Sequence, residues 1–128
     1  MHIVNSSLVS IGPAEAARRM RITIKTLRHY ERRGLLEPRR TSKGWRVYER
    51  ADLARLEQVL AFKAMGFGLA QIASLLDASS DVVASALATQ ELNLEGQMKQ
   101  LNGALDAVRI ARAKPARPAS GLPVALAA

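Results

Sequence analysis

The sequence predicts a mainly α-helical protein: a winged helix-turn-helix with a small β-hairpin as its wing, followed by one long C-terminal coiled-coil helix. Three observations predict this fold class. A short basic helix with a threonine before it and a glycine after it occupies 23–34, and a basic segment with strand-like alternation follows in 38–48. Leucine or valine then recurs every seven residues from 87 to 108, which is typical of a coiled coil.

The first helix is expected to begin at Gly12-Pro13, because proline at the first helical position loses no hydrogen bond that it needed. A short strand is expected just before it, at Leu8, Val9 and Ile11. The apolar face of the helix is assigned to Ala14, Ala17 and Met20, which leaves Arg18 and Arg19 outside.

The second helix is expected to follow a tight turn at Arg21-Ile22, with Thr23 as its N-cap and Gly34 at its end. Spacings of three and four residues define one buried stripe, formed by Ile24, Leu27 and either Tyr30 or Glu31. The basic side chains of the helix point elsewhere. Two short helices joined in this way predict a helix-turn-helix.

The wing is predicted between 38 and 48. Pro38 forbids helix, and Ser42-Lys43-Gly44 predicts a hairpin turn. After this turn the period-two alternation of a strand runs through Trp45, Arg46, Val47 and Tyr48.

Two further helices are predicted to pack as core. The first begins at Asp52-Leu53, and its apolar face is Leu53, Leu56, Val59, Leu60 and Met65. Gly66-Phe67-Gly68 breaks it, and a short fourth helix then ends near Asp77.

A heptad seam extends from Asp81 to about Arg112. Its proposed dimerisation residues are Leu87, Leu94, Met98, Leu101, Leu105 and Val108. A lone helix of about 30 residues cannot cover such a stripe, so the seam predicts a second copy of the chain; packing back on its own domain is the alternative. Beyond it, 114–128 is rich in proline and alanine and is expected to be disordered.

Composition limits the function. The net charge of +8 lies entirely within 13–50, where twelve Lys/Arg face four Asp/Glu, and localised positive charge indicates a polyanionic partner. The alternative is a merely basic, solvated surface.

Zero cysteines exclude disulfides and thiolate metal sites. With no apolar run long enough for a membrane span and no signal-peptide pattern, we expect a cytoplasmic protein without a membrane partner.

Several motifs occur together at specific spacings: Ile11-Gly12, Thr26-Leu27-Arg28-His29-Tyr30-Glu31, Gly34-Leu35-Leu36, Pro38-Arg39, Gly44-Trp45-Arg46-Val47-Tyr48, and Met65-Gly66-Phe67 with Ile72. In this combination the chain resembles the MerR family of bacterial transcription regulators. The resemblance implies an N-terminal extension (1–9), a winged helix-turn-helix DNA-binding domain (10–77) and a dimerisation helix (81–113) that pairs in an antiparallel coiled coil.

Three departures from the family pattern matter. Arg21 stands where the family usually has glycine, which strains the turn unless the backbone there stays right-handed. Gly68 replaces the usual serine N-cap of the fourth helix. The absence of cysteines excludes the metal- and redox-sensing roles that depend on them.

The resemblance implies that the second helix enters the major groove of promoter DNA, while the wing residues Arg39, Arg40, Lys43 and Arg46 grip flanking phosphates. Lys25, Arg28 and His29 are the candidates to reach bases or nearby phosphates, and Thr23 and Tyr30 are assigned to fixing the register on the DNA backbone. Trp45 either props the hairpin or stacks on a sugar. The full predicted DNA-binding set is Arg18, Arg19, Thr23, Lys25, Arg28, His29, Tyr30, Arg39, Arg40, Lys43, Trp45 and Arg46. The implied partners are double-stranded promoter DNA, a second copy of the chain and RNA polymerase on the same promoter.

With His2 and His29 as the only histidines, no catalytic grouping or metal-ligand spacing is recognised, so we expect no enzyme activity, metal or cofactor. An architectural, excisionase-like DNA-binding protein shares the winged fold but needs no dimer helix. A protein-interaction adaptor would use the basic face on an acidic partner. An effector could enter beside Phe62, Phe67 and Leu69, although plain core packing is the favoured interpretation of these residues.

Overall fold

A computed structural model describes residues 10–114 of the chain. The helices are α1 (Pro13–Met20), α2 (Ile24–Arg32), α3 (Arg50–Ala64), α4 (Leu69–Leu76) and α5 (Ser80–Ala113), and the strands are β1 (Ser10–Ile11), β2 (Arg39–Arg40) and β3 (Arg46–Glu49). The predicted fold class is confirmed. The predicted N-terminal extension, with Leu8 and Val9, and all of the predicted tail except Lys114 lie outside the described residues.

The helix-turn-helix forms from α1 and α2. Pro13 occupies the first turn of α1 as predicted, and the hydroxyl oxygen of Thr23 accepts a hydrogen bond from the Thr26 amide at 3.0 Å, which caps α2. Between the two helices Arg21 adopts a left-handed backbone, with φ 58° and ψ 41°. The backbone at Arg21 is therefore strained, as expected for a residue there that is not right-handed. Left-handed backbone places the Cβ of an L-residue close to the following carbonyl.

Three residues assigned to the core are exposed instead, and these assignments were wrong. Ala14, Ile24 and Met65 lie at or near the ends of α1, α2 and α3, where the apolar stripe continues past the area that other elements cover. In α1 the buried residues are Ala16 and Ala17.

The wing is a hairpin of β2 and β3, as predicted, and β1 adds a third strand on the other side of β3. Both pairings are antiparallel, with Ile11 opposite Tyr48 and Arg39 opposite Val47. Gly44 closes the hairpin turn with φ at +82°, a conformation that favours glycine. The whole side chain of Tyr48 is buried, so β3 connects the wing to the core.

Helix α3 begins two residues earlier than expected. Glu49 and Asp52 form a reciprocal capping box, in which the Glu49 amide donates to Asp52 Oδ2 at 2.8 Å, so Asp52 is the third residue of the helix. Helix α4 ends before Asp77 as predicted, and its N-cap, Gly68, provides no side-chain hydrogen bond.

One hydrophobic core joins α1 to α4, the wing and the start of α5. Its fully buried large side chains are Leu27, Leu35, Leu36, Tyr48, Leu56, Val59 and Ile72. Phe62 and Phe67 pack edge to face with ring centroids 5.8 Å apart, and Phe67 is buried. Together with the partly buried Leu69 they belong to this core, which confirms the packing interpretation.

Helix α5 is 34 residues long, and Val83 and Ala86 near its start pack against the core. The chain divides into two compact units between Gln90 and Glu91. Throughout 91–114 every residue is exposed, including most of the heptad seam. Within the part of the chain that the structure describes, no helix combines the length and apolarity of a membrane span.

Candidate nucleic-acid interface

The outer face of α2 presents two cations. Lys25 and Arg28 are exposed and lie three residues apart, so they share one face of the helix. Neither forms an ion pair with any residue in 10–114. His29, the third predicted base contact, is half-buried, and its ring lies 6.4 Å from that of Tyr30. The capped N-terminal half of α2 thus carries unneutralised positive charge.

Tyr30 was predicted to contact DNA, but the structure places it in the core. Only 5% of its surface is exposed, so its ring is used for packing; the DNA contact of Tyr30 stays a prediction. Burial raises the pKa of the Tyr30 hydroxyl. Of the two candidates for the end of the buried stripe, Tyr30 is therefore the correct one.

The wing carries an exposed aromatic–cation pair at its turn. Trp45 is 67% exposed, and Lys43 Nζ lies 5.4 Å from the centre of its ring. Thr41 braces the turn: its amide donates to the Trp45 carbonyl at 2.8 Å, and its hydroxyl oxygen accepts from the Trp45 amide at 3.2 Å. Because most of its side chain is exposed, Trp45 does not support the hairpin by packing beneath it. Its indole is open to a partner.

Glu31 connects α2 to the wing. Its carboxylate pairs with Arg46 Nε and lies 3.7 Å from an Nη atom of Arg40, and Arg40 also donates to the Gly44 carbonyl at 2.9 Å. The Glu31–Arg46 pair is the least exposed ion pair among the described residues. Two predicted phosphate contacts are therefore held to the helix that they flank. Glu31 was not predicted to link these elements, because its spacing in the sequence indicates only a place in the buried stripe.

Three more predicted cations form ion pairs on the surface. Arg18 and Arg19 both pair with Glu15, the latter at 2.9 Å, and Arg39 pairs with Glu49 at 2.9 Å. Exposed pairs of this kind contribute at most about 1 kcal/mol. A phosphate can therefore replace the carboxylate at little energetic cost.

Within residues 10–90, four further arginines are exposed and lie outside the predicted DNA-binding set: Arg21, Arg32, Arg33 and Arg50. None of them pairs with an acidic residue in the described range. Arg32 could have been found from its spacing, one helical turn after Arg28. Arg50 lines the same groove as Arg19, and its position depends on the packing of α3 beside α1, which local spacing does not reveal.

Tyr48 lies behind the interface with its hydroxyl buried and without a hydrogen-bond partner among the described residues. Burial raises its pKa, and the nearby Glu31 carboxylate adds to the effect. The ring therefore supports β3 and the paired Arg46 by packing rather than by a polar contact.

A short capped basic helix beside a cationic hairpin, both on one helical core, defines a winged helix-turn-helix protein of the nucleic-acid-binding class. The comparison with known families narrows this class. The sequence profile described as "MerR HTH family regulatory protein" matches residues 13–79, more than half of the chain. The chain belongs to the MerR family, whose members are DNA-binding transcription regulators and not enzymes.

Three relatives illustrate the similarity. The transcriptional activator TipA of Streptomyces coelicolor is 47% identical over 57 residues, which are 44% of this chain and 22% of TipA. The N-terminal part of the Bacillus subtilis multidrug transporter activator, MtaN, gives a TM-score of 0.75 at 30% identity over 81% of this chain and 99% of MtaN. HiNmlR, a MerR regulator lacking the sensor domain and solved bound to promoter DNA, gives 0.60 at 28% identity, over 77% and 80%. The chain thus spans about a fifth of TipA.

Proposed function

We propose that the protein binds a pseudo-palindromic promoter sequence as a homodimer and regulates transcription there by distorting the DNA between its two binding heads, the head being the winged helix-turn-helix domain (10–77) of each copy. In this function α2 enters the major groove, and the wing contacts flanking phosphates. RNA polymerase on the same promoter is the second partner. A regulator of this kind works in the bacterial cytoplasm.

The observation that carries the proposal is the pair Lys25 and Arg28. Both side chains are exposed on a capped helix and lack an acidic partner among the described residues, whereas each of the three wing arginines has one. An unneutralised pair on a helix that fits the major groove is suited to base edges or adjacent phosphates. The DNA-bound state of HiNmlR supports the same use of the domain.

Homodimerisation is supported by the exposed seam of α5. Leu94, Met98, Leu101, Leu105 and Val108 are each more than 40% exposed. Exposed apolar residues in one line along a helix mark an interaction surface. A dimer presents two heads to two half-sites, which gives the interface size that operator selectivity requires.

Distortion of the promoter would follow from rigid spacing of the two heads. A dimer that fixes the distance between its recognition helices binds a longer or shorter spacer only by bending or untwisting it. The free-energy cost of this deformation depends on the sequence of the spacer, so base pairs that the protein never touches contribute to selectivity.

The test is the double variant Lys25→Ala/Arg28→Ala, measured by DNase footprinting on the promoter of the protein's own gene and those of its neighbours. We expect loss of the protected site with the oligomeric state unchanged. The matched control, Lys99→Ala/Lys114→Ala, removes two positive charges from α5 and should keep the footprint. Equal footprints for both variants would overturn the proposed role of α2. If the Lys25→Ala/Arg28→Ala variant lost the footprint but still bound an acidic protein as the wild type does, a protein-interaction adaptor would be favoured instead.

A further inference from the structure

Two charged residues interrupt the seam of α5. One line of the seam is Leu87, Leu94, Leu101 and Val108, and the second is Ala84, Glu91, Met98, Leu105 and Arg112. A charged side chain in a coiled-coil seam must keep water or find an opposite charge, and such residues commonly fix register and orientation. Glu91 and Arg112 form no ion pair with any residue in 10–114, so both are available to a second chain.

The charges of α5 are separated along its length. Residues 80–96 contain Asp81, Glu91 and Glu95 and no Lys or Arg, a charge of −3. Residues 97–114 contain Lys99, Arg109, Arg112 and Lys114 against Asp106, and four minus one gives +3. Favourable interaction with the helix dipole is confined to the first and last turns and does not account for the central charges. Two antiparallel copies place the acidic half of each against the basic half of the other, whereas parallel copies repel at both ends.

We propose that Glu91, placed between Arg109 and Arg112 of a second copy, fixes the register of an antiparallel dimer of α5. In this register Met98 lies opposite Leu101 of the second copy, Leu94 opposite Leu105, and Glu91 opposite Val108. Arg112 then lies one layer beyond Val108, within reach of the Glu91 carboxylate. The contact occurs twice, once at each end. The proposal rests on the homodimer of the proposed function and specifies the chemistry by which the copies recognise each other.

The neighbouring registers are less favourable. Shifting by one heptad in one direction places Glu91 opposite Leu101 and brings Glu95 against its own equivalent, so an acidic residue is buried and two like charges meet. Shifting in the other direction moves Leu87 and Glu91 past Ala113, the last residue of α5, and places Leu94 opposite Arg112, so a leucine of the seam faces a charge. Of the three registers, the proposed one alone pairs Leu94, Met98, Leu101 and Leu105 with apolar residues and places positive charge beside Glu91 within the helix. In this register Leu87 lies beside Arg112 of the second copy, at the edge of the seam.

Charge reversal tests the pairing. In the full chain, Glu91→Arg and the double variant Arg109→Glu/Arg112→Glu should each dimerise about tenfold more weakly than the wild type, because each homodimer juxtaposes like charges. An equimolar mixture should form a heterodimer as tight as the wild-type dimer, since both ends are then complementary. Lys99→Glu/Lys114→Glu makes the same change of charge off the seam and should give no rescue with Glu91→Arg. Differently tagged chains in native mass spectrometry measure all of these species.

Disulfide cross-linking measures the register independently. The chain contains no cysteine, so an introduced cysteine is the only thiol in its chain. A mixture of Leu94→Cys and Leu105→Cys chains should cross-link on oxidation, since disulfides form only between close Cβ atoms. Cross-linking of Leu94→Cys with Met98→Cys chains instead, or failed rescue by charge reversal, would overturn this register while leaving the homodimer intact. Cross-linking of Leu94→Cys with itself would indicate a parallel dimer. A wild-type chain that is monomeric at micromolar concentration would overturn the homodimer, and the register with it.

Discussion

Leucine has opposite environments in the two compact units of this chain. In the first unit Leu27 and Leu56 are fully buried, whereas in the second Leu92 and Leu101 are both 69% exposed. The first unit completes its hydrophobic core within one chain. The second is a helical segment whose apolar residues have no partner in the described range. Its line of exposed apolar residues therefore indicates contact with another surface.

This difference shows where the stability of α5 must originate. An isolated helical segment in water is marginal, and Gly96 and Gly103 each cost about 1 kcal/mol relative to alanine. The burial of the seam leucines in a dimer would offset that cost. Folding of the head and pairing of the helix are therefore expected to respond to different mutations.

The largest expected effect separates two leucines that are equally exposed. Leu101→Asp places a charge in the seam and should yield a monomer with promoter affinity at least about 100-fold weaker, because one head alone contacts one half-site. Leu92→Asp makes the same change off the seam and should leave dimer and affinity unchanged. Sedimentation velocity and a promoter-binding titration measure both. Similar behaviour of the two variants would mean that the heptad seam is not the interface.

A second prediction concerns the core of the head. Leu56→Ala should lower the free energy of unfolding by about 2–5 kcal/mol at every protein concentration, because it leaves a cavity in a core that one chain forms. Leu105→Ala should instead weaken stability through the dimer, so its effect should depend on protein concentration. Urea denaturation at two concentrations differing 100-fold separates these cases. If the Leu56→Ala effect also varied with concentration, the head would not be independently stable.

The sequence predicted most of the fold because its signals are local. Pro13, the Thr23 cap, the Gly44 turn and the leucine spacing of α5 each specify their own element. The misassigned residues Ala14, Ile24 and Met65 lie at helix ends, where periodicity cannot tell how far a neighbouring element extends.

The interface was less predictable than the fold. The cations Lys25 and Arg28 follow from the helical pattern, but the Glu31 link to the wing depends on how β3 packs beside α2. The same holds for Tyr30, whose aromatic ring is suited equally to a core or to a DNA contact until its neighbours are known.

A smaller effect is expected at the turn between α1 and α2. Arg21→Gly should raise the free energy of unfolding by about 1 kcal/mol, because glycine adopts the observed left-handed backbone without strain. Arg21→Ala removes the same positive charge but keeps the strain, so it should give no such gain. The two variants should lose promoter affinity equally. Thermal unfolding at low salt distinguishes them, and an equal gain for both would show that charge, not backbone, matters at this position.

The smallest effect concerns Tyr48. Because its folded-state pKa lies above the ordinary value of 10.0, the folded state favours the protonated hydroxyl; stability should be unaffected below about pH 10 and fall as the pH rises further. Tyr48→Phe removes a buried hydroxyl without a partner, so at pH 7 it should change stability by no more than about 1 kcal/mol. Above pH 10 the variant should lose less stability than the wild type in urea denaturation. Identical alkaline profiles would contradict the burial of this group.

The most direct test of the central claim, that a seam-paired dimer delivers two reading heads to one operator, is the mass of the saturated promoter complex. Native mass spectrometry with a duplex covering the footprinted site should show two chains per duplex and no stable one-chain species. The account would be contradicted if the saturated complex held a single chain per duplex, and if raising the protein concentration increased neither its affinity nor its selectivity for the promoter.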